Sequence, residues 1–243
     1  TENLNLLFAK IGIGTELPVF RFLLPLGISF YTFQSMGYLI DVYREKFEPE
    51  RNPAKYALFV SFFPQLIQGP ISFYDQLAHQ LYAERNFSYK NLKHGTLLML
   101  WGYFKKMVIA DRAVSLIQMV APDYMQYNGT VIFITVLVYA LQLYADFSGG
   151  IDISRGFAEI LGIEMAENFC RPYFAVSIND YWRRWHITLG AWMKNYVFYS
   201  LAMSKRFFKM GKNLKQKYGD HAVGAHIAKV LPAGIASFIT FLL

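Results

Sequence analysis

The chain has 243 residues, 54% of them hydrophobic, 18% aromatic and only 17% charged. Soluble domains carry about 25% charged residues, so this balance excludes an ordinary water-soluble globule and favours a bilayer, whose interfaces suit amphipathic rings. The net charge of +7 would raise nucleic acid in a soluble chain. Here the cations flank apolar runs, so anionic headgroups and the positive-inside bias account for them and no nucleic-acid partner is expected.

In chain order, three uncharged runs reach the roughly 20 residues that a helix needs to cross the hydrocarbon. They are Phe22–Ile40, Tyr56–Tyr74 and Tyr124–Ala145, of 19, 19 and 22 residues. Pro25-Leu26-Gly27 lies inside the first, and Pro64 with Gly69-Pro70 inside the second. Proline removes a backbone donor and kinks or breaks a helix, and broken backbone survives at membrane depth only under cover of protein or beside a water-filled cavity. The stretch Thr96–Val120 is apolar but is cut by Lys105-Lys106 and Asp111-Arg112. Those charges read as a helix end, or else as a polar site inside the membrane; charge at depth is costly, which favours the end. Gly149-Gly150 is expected to end or unwind the helix of the third run, leaving Asp146 and Asp152 near its terminus and Asp152 paired with Arg155 at i, i+3. The six Lys and Arg residues of 205–217, with no acid among them, read as a solvated loop that the positive-inside rule places in the cytoplasm. The 14 apolar residues Val230–Leu243 are too few to span alone. With the equally abrupt start at Thr1, they suggest a fragment truncated at both ends. The one cysteine, Cys170, allows no internal disulfide. The fold class expected is therefore an all-α polytopic membrane protein, one membrane domain over 1–243, with kinked, discontinuous and re-entrant helices.

The densest polar constellation in an apolar setting runs from Ser177 to Leu189. On a single helix Trp182, Trp185, Leu189, Trp192 and Tyr196 would form one aromatic face, with Arg183 and Lys194 on a polar stripe, His186 between the two, and Ser177 or Asn179 as the cap. Such a helix could simply lie in the membrane interface. It could equally carry chemistry: a histidine shielded by indoles can move a proton near neutral pH, and Arg183 and Arg184 can hold phosphate or carboxylate bidentately. No metal-ligand cluster is expected.

These residues also carry a resemblance. Leu24-Pro-Leu-Gly-Ile-Ser-Phe-Tyr-Thr-Phe-Gln34 with Tyr38 and Asp41-Val-Tyr43, then Phe63-Pro64-Gln65 with Gln68-Gly-Pro70, then Leu143-Tyr-Ala-Asp-Phe-Ser-Gly149 through Glu167-Asn-Phe169, Pro172-Tyr173 and Trp182-Arg-Arg-Trp-His186, resemble in order the bacterial membrane-bound O-acyltransferases that support alginate O-acetylation. The teichoic-acid D-alanyl transfer protein is a more distant likeness. The resemblance implies a multi-pass protein of the bacterial cell membrane that moves an acyl group from a cytoplasmic thioester toward a hydroxyl of an extracytoplasmic cell-envelope polysaccharide. It implies acetyl-CoA or another acyl thioester as donor and no tightly bound cofactor. The expected partners are the lipid bilayer, a polysaccharide acceptor and a partner extracytoplasmic acetyltransferase. His186 matches the first of two characteristic histidines, with Trp182, Arg183, Arg184, Trp185, Asn179 and Asp146 as candidates around donor and substrate. The second histidine, in a Trp-His-Gly context, has no counterpart here because none follows His226, so the chain alone is expected to be inactive. Two other classes compete. One is a transporter or channel subunit using broken helices and intramembrane carboxylates, which should show a two-fold hydropathy repeat that the sequence lacks. The other is a non-catalytic scaffold.

Overall fold

A computed structural model describes residues 27–66, 68–218 and 221–242. Secondary structure among them is helical apart from a single antiparallel bridge between Phe169 and Trp185. Pro25, Leu26 and the first residues of the run that begins at Phe22 lie outside the described residues.

Helix α1, Ile28–Tyr43, starts at Gly27, whose φ of 78° is left-handed and whose missing Cβ leaves room for the Leu66 carbonyl. The run Tyr56–Tyr74 is not one crossing helix. It divides into α2 (Pro53–Val60, capped by Asn52 and opened by Pro53), the single turn α3 (Phe63–Leu66), an irregular stretch through Gly69-Pro70, and α4 (Tyr74–Tyr82). Proline permits helix only in a first turn, so Pro64 can sit in α3 and Pro70 cannot continue it. The break is covered by protein: Phe59, Phe62 and Leu77 pack with Ala158, Ile163 and Met165 in a buried cluster.

The charged pairs Lys105-Lys106 and Asp111-Arg112 do not end a helix. Ser88 caps α5 (Tyr89–Tyr103), which passes through a π-helical segment, Phe104–Ala110, directly into α6 (Asp111–Val120). At 1.5 Å per residue this rod is roughly 48 Å long. Nor does Gly149-Gly150 end the next helix. Capped by Asn128, α7 runs unbroken over Gly129–Ile160, while Tyr124–Gln126 form a separate 3₁₀ turn. The glycines serve packing instead. A Cβ built on Gly95, Gly102, Gly149 or Gly156 would meet the carbonyl of its counterpart on the other rod at 2.5–2.8 Å. Paired at intervals of seven residues, they let the two backbones touch, as small residues do between membrane helices.

After α7 the chain turns back through an irregular segment containing the 3₁₀ turn Pro172–Phe174, then forms α8 (Ile178–Trp182). The expected single helix through the aromatic constellation is broken at Arg183–His186. His186 sits at φ 46°, ψ 52°, and only then does α9 (Ile187–Trp192) begin, continuing through a π segment (Met193–Phe198) into α10 (Tyr199–Ala202). The basic stretch is helix rather than loop: α11 spans Lys205–Tyr218. It packs against α12, Ala222–Leu242, a 21-residue helix in which the apolar run from Val230 is only the second half. Among the described residues two helices, Gly129–Ile160 and Val223–Leu242, are long and apolar enough to cross a membrane, and only 11% of the apolar stretch of each is buried within the chain. A soluble core helix hides its apolar surface. Here Phe133, Ile134, Val136, Leu137 and Leu141 of α7 stay exposed, as lipid-facing residues do.

Candidate functional site

The site is built where the break before α9 meets the middle of α7. Asn168 is buried, and its Oδ1 accepts from the Thr188 backbone N–H at 3.0 Å and from Thr188 Oγ1 at 3.0 Å. Because a backbone N–H can only donate, the amide orientation is settled: Oδ1 is the oxygen. The His186 Nδ1 lies 3.3 Å from that same oxygen, so Nδ1 carries the hydrogen and Nε2 keeps its lone pair. The Asn168 carbonyl also accepts from the Ile187 N–H at 3.1 Å, and Thr188 Oγ1 accepts from the Ile71 N–H at 3.1 Å. One buried asparagine thus joins the return segment to the start of α9, and Thr188 carries the link on to the broken stretch after α3.

Left-handed backbone is unusual for a residue with a Cβ and costs on the order of 1–2 kcal/mol. His186 is held there by these bonds and by the Gly190 N–H, which donates to its carbonyl at 3.0 Å. Its ring stands edge-on to Phe147 of α7, centroids 4.8 Å apart. Burial pushes the imidazole down to about 4, so at neutral pH it is uncharged and able to accept a proton. The shield is Phe147 rather than the indoles. Trp185 stacks on Tyr181 and meets Phe169 at 4.9 Å, within a group that includes Tyr144 and Tyr173. Trp182 faces outward against Phe241 of α12.

The cations divide. Arg184 pairs with Asp180 at 2.9 Å, and its hydrogen bond draws that carboxyl below the usual range. Arg183 is exposed and forms no ion pair among the described residues. Asn179 is exposed, and the cap of α8 is Ser177, which accepts from the Asp180 N–H. Asp146 lies mid-helix on α7 and pairs with Lys106 at 2.5 Å.

Sequence reasoning assigned no separate role to Asn168, and it favoured a helix end over an intramembrane polar site for the lysines beside this site. Lys105 is buried at the centre of the rod contact, 2.7 Å from Asp152 and donating to Ser148 at 2.9 Å, while Asp152 also pairs with Arg155 at 3.9 Å as expected. The π segment inserts the extra residue that turns both lysines toward α7. Each is matched by a carboxylate, so the intramembrane charges are a neutralised brace. The signal existed in the sequence as two lysines inside an apolar run. Asn168 stood in the Glu167-Asn-Phe169 stretch of the resemblance, but nothing local marked its role, since its partners are 18–20 residues away. Of the other histidines, His79 and His94 lie apart from this site; His94 pairs with Glu159 at 2.6 Å beside a cavity of about 280 Å³. Among the described residues no cluster of metal-ligating side chains occurs.

A half-buried neutral imidazole at a helix break, set edge-on against Phe147 of a long apolar helix, is a group suited to proton transfer. The model of the membrane-bound O-acyltransferase family matches residues 50–214, and the chain belongs to that family. It is 37% identical to the probable alginate O-acetylase AlgI of Azotobacter vinelandii over 82% of this chain and 40% of that protein. It is 36% identical to the peptidoglycan O-acetyltransferase of Helicobacter pylori over 74% of this chain and 39% of that protein. The teichoic acid D-alanyltransferase of Bacillus subtilis is 29% identical over 71% and 44%. The chain thus spans about two fifths of the length of the curated relatives it matches.

Proposed function

We propose that the protein is an O-acyltransferase of the bacterial cell membrane, a multi-pass enzyme that moves an acyl group, acetyl in the first instance, from a cytoplasmic thioester such as acetyl-CoA toward a hydroxyl of an extracytoplasmic cell-envelope polysaccharide. A partner extracytoplasmic acetyltransferase completes delivery in this reading. The family and the printed activities of the relatives support the reaction class. The observation that carries the site is the His186 imidazole, neutral by burial and with Nδ1 engaged by Asn168. Its free Nε2 takes the proton of the attacking hydroxyl as that oxygen bonds to the thioester carbonyl carbon. The carbon–sulfur bond then breaks, and the thiolate leaves with a proton returned from the imidazolium.

The test is His186→Ala in the native full-length protein, reconstituted in liposomes with labelled acetyl-CoA and an envelope glycan. Loss of one general base costs about 10²–10⁴ in rate, and a loss of at least 100-fold in a folded protein is the expected result. Turnover near wild type would remove His186 from the chemistry. The proposal also holds that the 243 residues alone do not turn over, because the second histidine that the resemblance implies is not among them.

A further inference from the structure

A second cavity, of about 790 Å³ and open to the surface, lies between the end of α1 and the far end of the α9–α10 rod. Its floor holds Asp41, which is buried and accepts from the Tyr196 hydroxyl at 2.8 Å and from Lys46 at 3.2 Å. Lys46 also pairs with Asp75 at 2.8 Å, so its charge is matched. Arg44 is different. Its Nη1 donates to the Asn195 carbonyl at 3.1 Å and its Nη2 to Ser200 Oγ at 2.7 Å, with the guanidinium 5.7 Å above the Tyr196 ring. Every one of these partners is neutral, and among the described residues no carboxylate lies within ion-pair distance of it. The neighbouring Glu45 is exposed and takes a left-handed φ of 57° without pairing to it. Lys194, also without a carboxylate partner among the described residues, places its ammonium 5.7 Å over Tyr199 on the wall of the same cavity.

An arginine oriented by neutral acceptors keeps its full charge and its remaining N–H donors for a ligand. A planar fork of donors fits a phosphate oxygen pair, while Tyr199 and Met203 offer an apolar wall to an organic substituent. Distance supplies a second argument. The helical stretch from His186 to Asn195, whose carbonyl Arg44 holds, rises about 1.5 Å per residue, a separation of roughly 14 Å. A pantetheine arm has a main chain as long as that of roughly four peptide residues, about 15 Å when extended. A phosphate held at Arg44 therefore leaves the thioester within reach of His186.

We propose that this cavity is a phosphate-ester subsite anchored by Arg44, with the phosphate of the thioester donor as its ligand. The assignment of the donor rests on the acyltransfer reading; the assignment of phosphate chemistry does not. The same chemistry is offered by an anionic phospholipid headgroup, so the experiment has two arms. In the first, desulfo-coenzyme A is titrated by calorimetry against full-length protein in neutral phosphatidylcholine nanodiscs. Arg44→Gln is expected to weaken binding at least tenfold, the scale of a lost charge-assisted pair of bonds. Arg44→Lys should recover part of it, and Arg51→Gln, at an exposed position outside the cavity, should change nothing. Pantetheine, which lacks the phosphate, should bind wild type and Arg44→Gln alike. In the second arm, retention of phosphatidylglycerol is followed by native mass spectrometry. Retention that depends on Arg44 while coenzyme binding does not supports the subsite with lipid as its source and overturns the donor assignment. Arg44→Gln protein that is folded by thermal melting and unchanged toward both probes overturns the subsite altogether. Because both arms read binding, a failed acyltransfer reading would appear separately, as turnover indifferent to His186.

Discussion

The asparagine that orients His186 is 1% exposed, and its Oδ1 serves three donors at once. Replacing Asn168 by Leu removes the shared acceptor and leaves the Thr188 N–H buried without one, a cost of about 1–3 kcal/mol. The expected outcome is a lower melting temperature together with a fall in turnover, while Asn168→Asp, which keeps the acceptor, recovers stability better than Leu does. A second residue-scale expectation concerns pH. With burial holding the His186 imidazole at about 4 rather than 6.5, the acid limb of kcat/KM against pH should lie nearer 4 than 6.5. Activity is then retained through pH 6 and lost only as the imidazole protonates below it. An acid limb at 6.5 would mean a solvated ring and contradict the packing against Phe147.

Among the elements, the pairing of α7 with the α5–α6 rod depends on backbone contact and on one buried ion pair. Gly95→Ile would drive a branched side chain into the Gly156 carbonyl, which cannot yield without separating the rods. Overpacking of this kind costs about 1–3 kcal/mol. Lys105→Met leaves Asp152 with only the longer Arg155 contact. Breaking one side of a buried pair costs about 3 kcal/mol, whereas Lys105→Met with Asp152→Leu removes both charges and should regain most of it. Thermal unfolding of the four proteins in one detergent checks both statements; a double variant no more stable than Lys105→Met would show that Asp152 carries no unmatched charge. The basic helix α11 is an element of another kind. Phe207, Met210, Gly211 and Leu214 are partly buried at i, i+3, i+4 and i+7, while the cations stay exposed. If it lies in the cytoplasm, Asn213→Cys in a Cys170→Ser background should resist an impermeant thiol reagent in intact cells and react once they are permeabilised. The background is needed because Cys170 is itself exposed. Labelling in intact cells would reverse the orientation.

At the scale of the whole molecule, long helices with exposed apolar surfaces enclose a small set of buried polar groups, Asp41, Lys105, Asn168 and Thr188 among them. The lipid-facing stripe of α7 and the basic α11–α12 pair predict that the chain stays in the membrane pellet after a high-pH carbonate wash, with release into the supernatant as the contrary result. Donor and acceptor must meet at His186 from different sides of the break in this reading. The cavity at Arg44 and the aromatic group around Trp185 occupy different surroundings of that residue, the first along α9–α10 and the second against α7.

The amino-acid sequence by itself determined the helical membrane class, through a shortage of charge and long apolar runs, and it singled out His186 among the histidines through its aromatic neighbours. It also marked the break at Pro64 and Gly69-Pro70, because proline acts on its own backbone and needs no partner to do so. Only the tertiary structure decided the outcomes that depend on distant partners. Lys105 and Lys106 remain inside a continuous rod because Asp152 and Asp146 on another helix neutralise them. Gly149-Gly150 stays helical because another backbone packs where a Cβ would be. The aromatic periodicity from Trp182 to Tyr196 does not lie on one helix because Asn168 holds the chain open at His186. Local sequence reports what a residue costs where it stands; whether that cost is met depends on groups that only folding brings within hydrogen-bond reach.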